Sequence, residues 1–346
     1  MDYSSAGAFT DLSGVPAGAL EGLPYDPVAL CDLVRHLVIQ PSDARAAGVP
    51  EERFAENQLH RAADMVSALM ALDPAPLTSP RSPEHRVIGT CRHFAVLACA
   101  LLRHRGIAAR TRCGFGTYFQ AGKGLDHWII DYQQPEQGPL EQGRLEQGRP
   151  GQGRLEQGAL EQGALEQGRP GQGALEQGPL EQGRPGQGAL EQGGPEQGGP
   201  EQGRPERDHP GRADRWRWVR VDAEIMGASL VEDATDLKPG EFVTGGEAWV
   251  AYRSGGLDAS QYGVPGTENW GPAEIRGNAV RDLACLNKVE TLPWDEWGRM
   301  QASYRGETGA DYDELLDAVA EACAADDPAA AVSLYATAEL EWVGRE

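Results

Sequence analysis

Three residues that lie far apart in the sequence, Cys91, His127 and Asp222, are of the types that form a nucleophilic catalytic site. Cys91 lies at the start of a predicted helix, where unpaired backbone N–H groups and the positive end of the helix dipole favour a thiolate. Arg86 and Arg92 are sequence neighbours that could add to this effect. A thiolate nucleophile needs a base, and the base needs a group that orients it. His127 opens a predicted strand and Asp222 ends another, so their residue types suit a Cys-His-Asp triad.

Each of these residues also has a structural interpretation. Cys91 can be a buried thiol, His127 a hydrogen-bonded strand histidine, and Asp222 an acid at a turn. His93 and His104 are poorer candidates for the base. A residue two positions along a helix points elsewhere, and one thirteen positions along lies roughly 20 Å up the axis. On the residues alone, the chemical and the structural interpretations both stay open.

The element that must position the thiol is a helix, predicted between Gly89 and Gly106. This run is apolar on nearly all sides, Thr90 is placed to cap its start, and basic residues occupy its last turn. A helix so apolar should be buried.

Three strands are predicted around this chemistry, at Ile107–Phe115, His127–Tyr132 and Trp216–Asp222. A pentad repeat of the form Glu-Gln-Gly-X-X, from Glu136 to Pro205, separates the second strand from the third. Without the repeat, a short turn would join these two strands. We therefore expect an antiparallel hairpin with an expanded loop, because the entropy of loop closure grows only with the logarithm of loop length.

The repeat itself predicts a disordered insert at residues 136–205. Its few Leu and Ala side chains bury too little apolar surface to offset roughly 1–2 kcal/mol of backbone ordering per residue. Glycine in every copy also opposes helix and strand. A neutral expanded linker is the favoured interpretation, and a binding array or phase-separating tract is the alternative.

Helices are predicted on both sides of the core. They are expected at Pro27–Val38 and Glu51–Leu72 before it, and near Asn278–Glu290, Asp311–Ala324 and Pro328–Leu340 after it. The predicted organisation is an N-terminal helical region (1–80), a core (81–235) interrupted by the repeat, and a C-terminal helical region (236–346).

Composition limits the partners and the location. The chain carries 53 acidic against 31 basic residues, a net charge of −22, which argues against general binding to nucleic acid or to an anionic membrane. Six cysteines without paired spacing indicate free thiols in a reducing compartment. The first residues carry no signal-peptide pattern, and no apolar run approaches the ~20 residues of a membrane span. A cytoplasmic location is expected.

No metal site or cofactor is expected from the sequence pattern. Cys91, His93, Cys99 and Cys113 have spacings that fit no zinc-binding pattern, and one helix cannot bring three of them to a point. No Asp-rich loop of the EF-hand type supports calcium dependence.

Four short motifs, in this chain order, resemble the core of the transglutaminase-like superfamily. They are GTCRHFA (89–95), RGIAAR (105–110), DHW (126–128) and WVRVDA (218–223). The resemblance implies an α+β papain-like fold in which a buried cysteine helix packs against an antiparallel sheet. It also implies Cys91 as the nucleophile, His127 as the general base and then acid, and Asp222 as the residue that orients the histidine.

The resemblance implies cysteine-dependent acyl transfer, or hydrolysis of an amide or peptide bond, through a thioester. The superfamily contains cross-linkers, proteases, deamidases and peptide N-glycanases, so the substrate is expected only to carry an amide or ester, as a peptide or small molecule. The alternative is a catalytically inactive module that uses the fold for binding. The backbone N–H of Cys91 is the default oxyanion donor, and His85 and Tyr118 are the candidate side-chain donors.

Substrate-binding residues are expected in the C-terminal part. Arg276 or Arg281 could bind a carboxylate, and Trp294 could form a wall of the cleft. The alternative is that these residues form ion pairs and packing contacts that hold the C-terminal helices to the core.

Overall fold

An antiparallel sheet with helices packed against it carries the residues that the sequence singled out. The computed structural model describes residues 1–136, 216–337 and 339–343, so the pentad repeat and its predicted disorder lie outside the described residues. The described residues before and after the repeat pack as one compact unit. The predicted α+β class is confirmed, and the division into three regions at residues 80 and 235 stays a prediction.

Within the described part of the chain, seven strands form two sheets. They are β1 (Val38–Ile39), β2 (Val87–Ile88), β3 (Ala109–Gly116), β4 (Gly124–Pro135), β5 (Trp216–Val221), β6 (Phe242–Thr244) and β7 (Tyr262–Gly263). Strands β1 and β2 form a short parallel pair. The larger sheet has the antiparallel order β5-β4-β3-β6, and β7 joins β4 in parallel.

The hairpin expected across the repeat is confirmed. Strands β4 and β5 are antiparallel neighbours, and Ile130 lies opposite Val221. Asp222 follows β5 directly, so this register brings it toward the end of β4 that carries His127.

Nine α-helices are described in the ranges given above. They are α1 (Pro27–Val34), α2 (Pro41–Ala46), α3 (Ala62–Leu72), α4 (Cys91–His104), α5 (Gly245–Arg253), α6 (Pro272–Leu286), α7 (Met300–Tyr304), α8 (Ala310–Ala324) and α9 (Pro328–Tyr335). None of these described helices has the length and apolar character needed to cross a membrane.

Helix α4 forms as its sequence predicts. Thr90 has extended backbone just before the helix, and Gly106 follows its end with φ of 74°, in the left-handed region that favours glycine. The helix packs against β3 and β4. Leu97 and Leu101 are fully buried in one core cluster with Trp128 of β4. Burial of this apolar helix therefore fixes the position of its first residue, Cys91, at the sheet.

Side chains of β4 alternate between two environments, as expected for a strand covered on both sides. Trp128 and Ile130 join the core that contains α4, whereas Ile129 packs in a separate cluster with Leu237 and Phe242. A further core cluster lies among α5, α6 and α8, and α6 packs against β3. The sheet is thus enclosed by N-terminal and C-terminal helices.

Two differences from the sequence-based expectation have physical reasons. The segment predicted as one helix from Glu51 is a 3₁₀ segment (Glu51–Gln58) followed by α3. The break falls where the carbonyls of Leu59 and His60 accept hydrogen bonds from the Arg92 guanidinium. Helix α1 ends at Val34 because the chain then enters β1, which pairs with β2.

Helix α5 was not predicted, although its start carries a capping-box sequence. The Thr244 hydroxyl accepts the Glu247 N–H at 3.2 Å, and Glu247 accepts the Thr244 N–H at 2.8 Å. This Thr-x-x-Glu pattern is a helix start signal that could have been found in the sequence.

Candidate active site

Cys91 lies at the first position of α4 and is 8% exposed. The loop before it is tied to β1, because the Gly89 N–H donates to the Ile39 carbonyl at 3.0 Å. Gly89 cannot carry a side chain here, since a Cβ would lie 2.5 Å from Cγ of the His93 ring. His93 itself accepts the Thr90 N–H at Nδ1 (3.1 Å) and so belongs to the helix start. These contacts fix the thiol beside helix N–H groups that have no intrahelical acceptor.

His127 and Asp222 form a buried pair on neighbouring strands. His127 Nε2 lies 2.8 Å from Asp222 Oδ2, and the two side chains are 3% and 1% exposed. We assign a proton to Nε2, because an ionised carboxylate can only accept. The other ring nitrogen, Nδ1, is then left to take a proton from a thiol. Asp222 is oriented in turn, because its Oδ1 accepts the Glu224 N–H at 3.0 Å.

Two aromatic residues after β3 enclose this pair. The Tyr118 hydroxyl donates to Asp222 Oδ2 at 2.5 Å. The Phe119 ring lies edge-on to the His127 ring, with 4.8 Å between centroids and 71° between planes. Tyr118 therefore orients Asp222 through its hydroxyl. His85, the other side chain considered as an oxyanion donor, lies 3.3 Å from Ser82 Oγ.

Glu224 and Gln40 are site residues that sequence reasoning missed. Cys91 Sγ, a ring nitrogen of His127 and a carboxylate oxygen of Glu224 all lie within 4.8 Å of one another. Gln40 Nε2 donates to Glu224 Oε1 at 2.6 Å, and Glu224 Oε2 is buried with no hydrogen-bond partner in the described part of the chain. Glu224 stands two positions after Asp222, in the turn that follows β5, so strand alternation does not indicate its place in the site. Gln40 follows β1, and no local pattern indicates its place in the site.

Burial is the largest influence on the ionisation of the site. It raises the pKa of the Cys91 thiol, and the His127 ring opposes this shift. Burial of Cys91 therefore opposes the formation of the thiolate that the helix N-terminus was expected to favour. The same loss of solvent raises the pKa of Cys99, deeper in α4, to about 12.

His127 and Asp222 support each other's charged forms. Burial disfavours the imidazolium, but the Asp222 carboxylate outweighs burial and holds the pKa of His127 well above its ordinary value. Burial likewise opposes the carboxylate, yet His127 and the Tyr118 hydroxyl lower the pKa of Asp222. The structure therefore stabilises the imidazolium that forms when the His127 ring takes a proton from Cys91, and this is the form that can protonate a leaving group.

Arg86 and Arg92, the arginines near Cys91 in the sequence, are bound to backbone carbonyls. The buried Arg92 guanidinium donates to the carbonyls of Leu59 and Thr291, both at 3.1 Å. Arg86 donates to the Arg81 carbonyl at 3.1 Å. Both arginines therefore tie chain segments together, and neither has a described hydrogen bond to the Cys91 thiol.

The two C-terminal arginines predicted to bind substrate have acidic partners. Arg276 Nε lies 2.9 Å from Asp313 Oδ1. Arg281 is 3% exposed, donates to Asn278 Oδ1 at 3.2 Å, and lies 3.5 Å from Glu274. These contacts match the structural alternative given for both residues.

Trp294, the predicted cleft wall, is 42% exposed, and its indole N–H donates to Gln58 Oε1 at 3.1 Å. Among the described hydrogen bonds and ion pairs, neither Trp294 nor the two arginines contacts Cys91, His127 or Asp222. Their part in substrate binding stays a prediction.

One comparison with known proteins found a match. Residues 44–132 match the family model of the transglutaminase-like superfamily core. Comparisons with curated proteins and with solved structures gave no match. The matched segment contains Cys91 and His127 and ends before the repeat, whereas the fold adds Asp222 from the far side of it. Residues 44–132 are therefore similar to the core of the transglutaminase-like superfamily.

Proposed function

We propose that the chain is a cysteine-dependent enzyme that transfers acyl groups or hydrolyses amides, with Cys91, His127 and Asp222 as its triad. One observation carries the proposal. His127 holds Asp222 at 2.8 Å through Nε2, and one of its ring nitrogens lies within 4.8 Å of the Cys91 thiol sulfur. A nucleophile, a base and an orienting carboxylate are thereby arranged in series.

The reaction has two halves. His127 Nδ1 accepts the thiol proton as Sγ attacks the carbonyl carbon of an amide or ester. The imidazolium then protonates the leaving amine or alcohol, and a thioester remains on Cys91. In the second half His127 deprotonates water or an amine, which attacks the thioester, and the thiol leaves with its proton restored. Asp222 keeps the ring oriented throughout by accepting the Nε2–H.

Two donors are proposed for the oxyanion. The Cys91 backbone N–H is the first in α4 and has no intrahelical acceptor. Gln40 is the second, because its side-chain nitrogen carries two N–H groups and its described contact to Glu224 uses one. A preorganised donor of this kind contributes about 3–4 kcal/mol to transition-state stabilisation in other acyl-transfer sites.

The proposed substrate is a peptide or small molecule that carries an amide or ester, and the acceptor is water or an amine. The net charge of −22 makes nucleic acid or an anionic membrane an unfavourable partner. A cytoplasmic location is proposed with it, supported by six cysteines that are all unpaired thiols.

The direct test is acylation by an activated ester. Purified full-length chain is incubated with p-nitrophenyl acetate, and the acetylated peptide is identified by mass spectrometry before and after hydroxylamine treatment. We expect a hydroxylamine-sensitive acetyl group on Cys91, absent from Cys91→Ala and retained in the matched variant Cys99→Ala. Acetylation spread over all cysteines, or none at Cys91, would overturn the proposal and favour the inactive binding module.

Adding an amine to the same reaction distinguishes a transferase from a hydrolase. A transferase forms the acetylated amine at the expense of acetate, whereas a hydrolase releases acetate at an unchanged rate.

A further inference from the structure

We infer that Cys91, His127 and Glu224 form a zinc-binding site, and that Zn²⁺ bound there blocks the nucleophile. Zinc binding at these three residues does not depend on the proposed function. Inhibition of Cys91 by the bound zinc rests on the proposed function. Thiolate, imidazole and carboxylate are the three ligand types that zinc takes in proteins. The three ligand atoms already lie within 4.8 Å of one another.

The separations suit a tetrahedral ion after a small adjustment. Zinc lies about 2.3 Å from sulfur and about 2.0–2.2 Å from nitrogen or oxygen, so its ligand atoms are roughly 3.4–3.7 Å apart. Closing from 4.8 Å requires shifts of about 1 Å at the side-chain ends. Cys91 and Glu224 can supply these shifts by rotation about their own side-chain bonds, whereas His127 is held by Asp222 at 2.8 Å.

Neighbouring side chains orient the ligands as they do in zinc proteins. Asp222 accepts the His127 Nε2–H, which leaves Nδ1 with a lone pair for a metal. Gln40 holds Oε1 of Glu224 at 2.6 Å, and the other carboxylate oxygen, Oε2, is buried without a partner. A buried oxygen without a donor carries an energetic cost that a bound cation would remove. The proposed triad reaction does not use Glu224 Oε2. This unpaired oxygen is therefore the observation that indicates a bound cation.

The charge balance also favours a divalent cation. Zinc displaces the thiol proton to solvent, so the thiolate and the Glu224 carboxylate supply two negative charges for the ion. Water fills the fourth position. The Cys91 sulfur is then bound to zinc and cannot attack a carbonyl. The Nδ1 lone pair of His127 is also bound to zinc, so the ring cannot act as a base.

The test is a zinc titration of the full-length, untagged, reduced chain in competition with a chromophoric chelator, using zinc chloride as the probe. We expect one Zn²⁺ per chain. Cys91→Ala should lose this binding, and Glu224→Gln should weaken it by at least about tenfold, in the range found when metal-site residues are altered. Cys99→Ala, a fully buried cysteine in the same helix, should bind as the wild type does. Circular dichroism of each variant verifies its fold, and Glu224→Gln preserves the side-chain shape if Cys91→Ala fails to fold.

A second readout tests the block directly. Zinc should protect Cys91 from iodoacetamide, and a chelator should restore labelling. Absence of stoichiometric zinc, or unaltered binding in Glu224→Gln, would overturn the site. Stoichiometric zinc with undiminished labelling of Cys91 would overturn the block. Failure of the ester reaction in zinc-free protein, with zinc binding intact, would count against the proposed function and not against the metal site.

Discussion

Two buried ion pairs, Arg112–Asp282 and His127–Asp222, each include one strand residue of the larger sheet, and they contrast a structural pair with the pair that we propose to be reactive. Both bring a cation and a carboxylate within 2.8 Å, and all four side chains are 3% exposed or less. Charge and burial alone therefore do not distinguish them.

The difference lies in how completely each pair is satisfied. Both carboxylate oxygens of Asp282 accept from the Arg112 guanidinium, at 2.7 and 2.8 Å, and Oδ1 also faces the Cys113 N–H at 3.3 Å. At the other pair, Asp222 is fully occupied, but His127 keeps one ring nitrogen for Cys91. Among the residues that the structure describes, the neighbouring Glu224 Oε2 has no hydrogen-bond partner. The second pair therefore differs from the first in having a histidine ring nitrogen within 4.8 Å of a thiol sulfur.

The largest expected effect follows removal of the thiol itself. Cys91→Ala should abolish acylation by p-nitrophenyl acetate, a loss of at least about 10³-fold, because no other group can form the thioester. Its unfolding free energy should stay within about 1–2 kcal/mol of the wild type, since only one sulfur atom is lost. Stopped-flow release of nitrophenolate measures the rate, with Cys99→Ala as the matched control. Wild-type rates in Cys91→Ala would contradict the triad.

Removal of the orienting carboxylate should come next. Asp222→Asn should lower kcat/KM by about 10²–10⁴-fold. The His127 ring then loses the acceptor that fixes its proton at Nε2, and it loses the neighbouring negative charge that stabilises the imidazolium. Stability should fall by less than about 2 kcal/mol, since His127 can release its proton and stay neutral. Steady-state kinetics and urea denaturation measure the two effects. If Asp222→Asn lost more stability than Asp282→Asn, His127–Asp222 would be the structural pair, which contradicts the comparison.

The structural pair should show the opposite pattern. Asp282→Asn leaves the Arg112 guanidinium buried without its main counter-charge, and arginine cannot discharge by losing a proton. We expect a loss of about 3–5 kcal/mol in the unfolding free energy. At a temperature where the variant is folded, acylation of Cys91 should remain within a few-fold of wild type. Loss of acylation in folded protein would show that this pair also serves the reaction.

A third buried pair, Glu274 with Arg281, is expected to make the unfolding free energy depend on pH. Burial raises the pKa of Glu274 from 4.5 to about 7, and Arg281, at 3.5 Å, only partly opposes it. The folded state therefore holds a proton that the unfolded state has lost, so this contribution to stability is full below pH 4.5 and lost as pH rises through 7. The loss is on the order of 3 kcal/mol.

Glu274→Gln should remove this dependence, because glutamine is neutral at every pH. Urea unfolding at pH 5 and pH 8 measures it, and the variant should gain stability relative to wild type at the higher pH. Parallel pH profiles for the two proteins would contradict the assignment of the proton to Glu274.

The smallest effect is expected at Tyr118. Tyr118→Phe removes the hydroxyl that donates to Asp222 at 2.5 Å and keeps the ring. One hydrogen bond of this kind contributes about 1–2 kcal/mol, so the acylation rate should fall by roughly 5–30-fold. The pH profile of the rate should move as well, because the hydroxyl helps to keep Asp222 ionised. An unchanged rate and profile would limit Tyr118 to packing.

The sequence predicts this fold well where local pattern and burial agree. Helix α4 follows from its all-round apolarity, and the pairing of β4 with β5 follows from removing the repeat. The interruption before α3 could not be predicted, because Arg92, which binds Leu59, stands some thirty positions away.

The candidate site was predictable only in part, for the same reason. Cys91, His127 and Asp222 stand in motifs, whereas Gln40 reaches the site through the packing of β1 against β2. The acidic partner of Arg276, Asp313, is likewise fixed by the packing of α8 against α6, whereas Glu274 lies two turns before Arg281 in the same helix. Residue type alone cannot tell a free arginine from a paired one.

The central claim, that His127 activates Cys91, is tested most directly by the rate of alkylation at each cysteine. Native full-length chain and His127→Ala are treated with limiting iodoacetamide across pH, and each of the six cysteines is quantified by mass spectrometry. We predict that Cys91 reacts at least about tenfold faster than the other five in the wild type, with a pH profile that changes in His127→Ala, and that this advantage falls by at least about tenfold in that variant. Equal rates at Cys91 with and without the histidine ring would contradict the account, because access alone would then explain the labelling.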